Sequence, residues 1–306
     1  MIPFGKLYKI LLCFLFLFCS ACIQAAGNEN QHILIITSYN PDTERMNANL
    51  SEFFDEYKRK NGANGNISIE SMNCKNLSES PLWKGRMEKL LARYEKNPPR
   101  LIILLGQEAW ASYLAQTTAF AQKTPVMAGL VSSNTVELPK SNVNLRTWMP
   151  KSLEYTDFKK FNIVGGNFYH YDVKRNVELI KKFYPKTRDL AFLSDFTLGG
   201  LIMQSLFVKE MRQFPDIKIH LLDGRRKSLF SMCNMLKGLP PQIVLLIGTW
   251  RIDSSENYVL ANTTGTLHES NLNLPAFSLS AVGMGSWAIG GYAPEYGLVG
   301  QDLADM

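Results

Sequence analysis

This 306-residue sequence predicts an α/β protein of two Rossmann-like lobes, each built on a parallel sheet, joined by a hinge. Three observations carry the prediction. Short apolar runs of about five residues alternate with amphipathic stretches of helical period. Each run ends in polar residues, as a strand buried on both faces does where it leaves its sheet. The alternation lapses over residues 134–165 and then resumes, so the second half copies the first in plan.

The first run is residues 33–37, Ile-Leu-Ile-Ile-Thr, which turns polar at Ser38-Tyr39-Asn40-Pro41-Asp42. Residues 46–60 follow as a helix, with Met46, Leu50, Phe53, Phe54 and Tyr57 at spacings of three and four, and Asn61-Gly62 stops it. A strand is expected at 67–72, a helix at 82–94 ended by Asn97-Pro98-Pro99, and a buried strand at 101–105 followed by Gly106-Gln107. A helix at 108–120 and a strand at 125–131, ending in Ser132-Ser133-Asn134, complete the first lobe. Short loops between such elements imply right-handed crossovers. Residues 134–165 hold Pro139, Pro150, a short alternating piece and Gly165-Gly166, and read as the passage between lobes.

Beyond it, helices are expected at 171–184, 201–214 and 229–236, and strands at 190–193, 217–222, 243–247 and 275–279. Residues 288–292 are apolar and Gly-rich, and 299–306 has the pattern of a helix just begun, so the chain is expected to continue in a longer protein. The division expected is a signal peptide at 1–26, lobes at 27–158 and 159–285, and a crossover at 286–306 returning to the first lobe.

Residues 1–26 carry Lys6 and Lys9, an apolar run from Ile10 to Ile23, and Ala25-Ala26-Gly27 for cleavage. That run is short of the roughly 20 residues that span a bilayer, though an uncleaved anchor is the alternative. Cys19-Ser20-Ala21-Cys22 partly matches a lipoprotein box with Cys22 acylated; Cys19 stands where Leu is usual. The formal charge is +6, two units of it from Lys6 and Lys9, too weak and dispersed to suggest nucleic acid. After residue 26 only Cys74 and Cys233 remain. They fall in different lobes, where a bridge would lock the hinge, and read as buried apolar residues.

Four pieces carry a family resemblance: Ile-Leu-Ile-Ile-Thr-Ser-Tyr-Asn-Pro at 33–41, Leu-Ile-Ile-Leu-Leu-Gly-Gln-Glu-Ala at 101–109, Phe-Tyr-Pro-Lys-Thr-Arg-Asp-Leu-Ala-Phe-Leu-Ser-Asp at 183–195, and Gly-Gly-Tyr-Ala-Pro-Glu-Tyr-Gly at 290–297. In their order and spacing the chain resembles type I periplasmic-binding-protein-like regions, the substrate-binding-like sensors ahead of bacterial hybrid two-component histidine kinases. The resemblance implies a periplasmic module that binds a small molecule between its lobes. It implies no catalysis, no cofactor, no metal and no nucleic-acid partner, and it allows a membrane tether and a homodimer in the whole receptor. A substrate-binding protein of an ABC transporter and an exported α/β enzyme are the alternatives.

In such a fold the cleft residues stand at strand ends: Ser38, Tyr39, Gln107, Ser132, Asp195, Phe196, Trp250 and Ser280. Asp195 is equally a candidate for an Asx turn opening the next helix. Phe168-Tyr169-His170-Tyr171-Asp172 reads as a packed crossover whose Asp172 caps a helix, with lining of the hinge side as the other reading. Gly283-Met284-Gly285-Ser286-Trp287-Ala288 follows a strand, but no amphipathic helix opens after it, which argues against nucleotide binding. The four histidines are widely spaced, without a paired metal-ligand motif, and neither a Gly-x-Ser-x-Gly elbow nor a Walker loop is present.

Overall fold

The computed structural model describes residues 32–62, 65–256, 258–259 and 263–306. The signal peptide and lipoprotein box expected at 1–26 lie outside the described residues.

The first sheet is parallel, in the order β2-β1-β3-β4-β7. Its strands are β1 (Ile33–Thr37), β2 (Ile67–Ser71), β3 (Leu101–Leu105), β4 (Val126–Ser132) and β7 (Ile163–Tyr169). Alternate residues of β1 face opposite ways, and both faces are covered, which is why the run is apolar throughout. Leu34 and Ile36 pack with Trp83, Met87 and Leu90 of α2 (Ser80–Ala92) and with Trp110 of α3 (Gln107–Leu114). Ile33 and Ile35 pack with Met46, Leu50, Phe53 and Tyr57 of α1 (Glu44–Asn61) and with Val299 and Leu303. The helix expected over 108–120 is two pieces. α3 ends at Leu114, and α4 (Ala119–Lys123) restarts where the Thr118 hydroxyl accepts from Ala121 N at 3.3 Å.

The second sheet is also parallel, in the order β11-β10-β8-β9. Its strands are β8 (Asp189–Ser194), β9 (Lys218–Asp223), β10 (Val244–Ile247) and β11 (Ala276–Ser278). Phe192 and Leu246 face α5 (Val173–Phe183) and α6 (Leu198–Glu210). Leu193 and Leu245 face α7 (Leu229–Lys237) and α8 (Thr263–Glu269), a helix absent from the sequence reading. Counted along the chain, both sheets run second-first-third-fourth, so each has a switch point beside its first strand.

Residues 134–165 are more ordered than their composition suggests. β5 (Asn134–Thr135) pairs antiparallel with β6 (Leu153–Glu154), and the chain then enters the first sheet as β7 rather than crossing over. The first sheet therefore uses chain beyond residue 158. Gly165-Gly166, a break by composition, sits inside the strand. Gly166 has φ 151°, and a Cβ there would meet Ala128 O at 2.5 Å, so the strand bulges where only glycine fits. The intervening loop reaches the second lobe. Arg225, fully buried, pairs with Asp223 at 2.7 Å, donates to Gln204 Oε1 at 3.1 Å, and donates to the carbonyls of Leu145 and Trp148.

The closing segment returns to the first lobe, where α9 (Gly300–Asp305) lies on α1 and Val299 N donates to Asn49 Oδ1 at 2.7 Å. Both cysteines among the described residues are free. Cys74 is buried, but Cys233 is only half-buried, because α7 presents it at the margin of its cluster. Among the described residues no helix is long and apolar enough to cross a membrane.

Candidate functional site

A cavity of about 540 Å³ lies between the lobes, at the carboxyl ends of both sheets. This is within the range of roughly 300–1,000 Å³ that small-molecule pockets occupy. The first lobe lines it with Tyr39, Thr43 and Arg45 after β1, and with Gly106, Gln107 and Glu108 after β3. Leu130 and Ser132 of β4, Tyr169 at the end of β7 and Tyr171 just beyond it continue that wall. The second lobe contributes Thr197, Gly199 and Met203 at the start of α6, and Thr249 and Arg251 after β10. Ser280, Tyr258 and Tyr296 close it.

Tyr39 is fixed through its carbonyl, which accepts from Thr37 Oγ1 at 2.6 Å and Ser71 Oγ at 2.9 Å. Its hydroxyl donates to Glu108 Oε1 at 2.7 Å. Burial pushes the Glu108 carboxyl above the usual range, with the Tyr39 and Ser38 hydroxyls pulling the other way. Burial, then the neighbouring Glu108, holds the Tyr39 phenol well above its ordinary value. Gln107 Oε1 accepts from Ser132 N at 2.9 Å, while its Nε2 is buried without a hydrogen-bond partner among the described residues. Leu130 sits at φ 58°, a left-handed conformation rare for a branched residue, where β4 loses register with β7.

Arg45 reaches over a cluster of rings. Its Nη2 donates to Tyr169 Oη at 3.2 Å and Tyr296 O at 3.5 Å. Tyr169 and Tyr296 meet edge to face at 4.9 Å, and Tyr296 Oη donates to Tyr171 Oη at 3.1 Å. Burial raises the phenols of Tyr169, Tyr171, Tyr258 and Tyr296, so the rings stay neutral donors at ordinary pH. The Arg251 side chain has no hydrogen bond or ion pair among the described residues, although its N–H is held by Asp195.

The eight residues expected from sequence divide evenly. Tyr39, Gln107, Ser132 and Ser280 stand together on the cavity wall. Ser38, Asp195, Phe196 and Trp250 lie behind it, each almost fully buried. Ser38 Oγ accepts from Ala109 N at 2.9 Å and ties β1 to α3; Gly106 has φ 102°, and a Cβ there would lie 2.5 Å from that hydroxyl. Asp195 makes the Asx turn. Oδ1 accepts from Thr197 N at 3.0 Å and Thr197 Oγ1 at 2.6 Å, and Oδ2 accepts from Arg251 N at 2.7 Å. Phe196 N donates to Ile252 O at 2.7 Å, and the ring joins a cluster that includes first-lobe residues. Trp250 packs beneath the second sheet, where a Cβ on Gly224 would lie 2.8 Å from its ring. These four frame the loops that carry the wall.

Sequence reasoning missed Arg45, Glu108, Arg251, Tyr258 and Tyr296. A signal existed for some: Glu108 and Arg251 each follow a named loop residue, and Tyr296 lies in the closing Gly-Gly-Tyr-Ala-Pro-Glu-Tyr-Gly. The crossover at 168–172 does two jobs. Tyr169 and Tyr171 line the cavity, and Asp172 Oδ1 accepts from Arg175 N at 2.8 Å as the cap of α5. Among the described residues no group of three or more His, Cys, Asp or Glu side chains is placed to hold a metal ion.

No protein-family model matches the sequence, and no curated protein does. Solved structures are similar in fold. A substrate-binding protein with adhesive properties from Clostridium difficile, in its ligand-free open form, aligns with TM-score 0.51 and 16% identity over 90% of this chain and 83% of that one. The fructose-binding periplasmic domain of a hybrid two-component system aligns with TM-score 0.51 and 11% identity over 90% and 82%. A solute-binding protein of an ABC transporter from R. palustris, in complex with benzoate, aligns with TM-score 0.50 and 9% identity over 83% and 62%. With two parallel sheets of matching strand order and a cleft at their carboxyl ends, the chain has the type I periplasmic-binding-protein-like fold.

Proposed function

We propose that the chain is an extracytoplasmic binding module that closes its two lobes around a small molecule and serves as the input region of a two-component receptor. One observation carries the reading: a cavity of about 540 Å³ whose wall is drawn from both lobes, at the switch points of both sheets. A ligand touching both walls binds the closed arrangement better than an open one, which is the free-energy difference a receptor needs. The likeness to a periplasmic domain of a hybrid two-component system supports the receptor role. The likeness to an ABC transporter's solute-binding protein favours a second reading, delivery of solute to a transporter.

Small-angle scattering of the purified chain, with and without compounds that raise its melting temperature, tests the binding role. Stabilisation with a fall in radius of gyration is expected, and stabilisation without closure would sink the hinge mechanism. Fusing residues 32–306 to the membrane and kinase regions of a receptor of this architecture separates the two readings, since only an input module gives ligand-dependent phosphorylation.

A further inference from the structure

The cavity's charge and its rings point to one class of ligand. Most other arginines in the described chain pair with carboxylates, as Arg86 does with Glu79 and Arg146 with Glu256; the exceptions, Arg100 and Arg212, lie exposed on the surface. Arg45 and Arg251 face the cavity and have no carboxylate within ion-pair distance among the described residues. The acid on the wall, Glu108, has one oxygen occupied by Tyr39. The cavity therefore presents two guanidinium groups from opposite lobes, each with donors to spare, and a guanidinium fork matches a carboxylate. Between them, Tyr169 and Tyr296 offer ring faces and edges, with few amides to meet a string of hydroxyls.

We propose that the cleft takes a small organic acid with a flat apolar body: the carboxylate bridges Arg251 of the second lobe and Arg45 of the first, and the body lies against the tyrosines. This rests on the binding role proposed above and names its ligand class. The bridge makes the carboxylate the group that draws the lobes together, since it joins two cations that would otherwise repel across the cleft. An aromatic amino acid has the same carboxylate and ring and adds an ammonium group, for which Glu108 is the acceptor on the wall.

Calorimetry and thermal shift on the purified chain test this with benzoate, 3-phenylpropionate and L-phenylalanine. Benzamide serves as the neutral counterpart, and fructose and inorganic phosphate as competing classes. The carboxylates are expected to bind at least tenfold more tightly than benzamide. Arg251→Gln is expected to cost at least tenfold in their affinity, with the melting temperature of the free protein unchanged. If 3-phenylpropionate and L-phenylalanine bind equally, Glu108 receives no ammonium, and the carboxylate assignment stands. Binding of fructose or phosphate but none of the acids, or acid binding unaffected by Arg251→Gln, overturns the ligand class while leaving the binding role intact. Response to none of the six compounds overturns the ligand class, and the absence of any stabilising compound in a wider screen would remove the binding role as well.

Discussion

Tyr39 donates its hydroxyl proton to Glu108 Oε1 at 2.7 Å, joining the loop after β1 to the first turn of α3 across the switch point of the first sheet. The bond fixes the aromatic wall of the cleft and gives a hydrogen-bond donor to a carboxyl that is almost wholly buried.

Glu108 should leave a signature in stability against pH. Its pKa is raised in the fold, so its contribution is complete below the ordinary value of 4.5 and is lost as pH rises through the folded value. Glu108→Gln should flatten that loss, so that the variant gains on the parent as pH rises above the ordinary carboxylate value. Urea denaturation across that range measures it. Parallel curves for the two proteins would show that Glu108 is not perturbed. Tyr39→Phe should cost about 1–3 kcal/mol at neutral pH by leaving the buried carboxyl without its donor.

Asp195 holds two loops of the second lobe together. Asp195→Asn replaces one accepting oxygen by a donor that must face either Thr197 N or Arg251 N. A loss of about 1–3 kcal/mol is expected. Hydrogen exchange should quicken at both amides; protection unchanged at Arg251 would remove Asp195 as the brace of that loop.

Arg225 clamps the loop between β5 and β6 onto the second lobe through the carbonyls of Leu145 and Trp148. Arg225→Met leaves Asp223, itself nearly buried, with only the more distant Arg226 at 3.8 Å, and should cost about 3–5 kcal/mol. Exchange over residues 145–149 should rise more than over β3. A uniform rise would mean that the clamp stabilises the whole protein rather than this strap.

Gly300 brings α9 against α1. A Cβ there would lie 2.0 Å from Asn49 O and 2.7 Å from Phe53 N, both backbone atoms that cannot yield cheaply. Gly300→Ala should cost about 1–3 kcal/mol by overpacking and expose α9 to proteolysis. Gly297→Ala, with nothing within 4 Å of the added carbon, is the control and should be silent.

Much of the lobe plan was legible because it rests on local pattern. Apolar runs such as Ile33–Thr37 and Leu101–Leu105 are covered on both faces, and that requirement writes itself into the sequence. β7 was not legible, because a glycine needed for close approach to Ala128 O looks the same as one that breaks a strand. The sequence pointed to strand ends, and four of the eight residues expected there line the cavity, but which of each adjacent pair faces it was not legible. Ser38 and Tyr39 differ by one position, and one is buried under α3 while the other lines the wall.

By itself the sequence determined the alternation of strands and helices, the two-part plan and the loops that end at the cleft, since hydrophobic period and turn residues act over a few positions. Only the tertiary structure decided that Arg45, Tyr169 and Tyr296, more than a hundred residues apart along the chain, meet on one wall, and that Arg251 faces them from the other lobe with no carboxylate partner among the described residues. Those contacts depend on how two sheets are set against each other, and no local period encodes that distance.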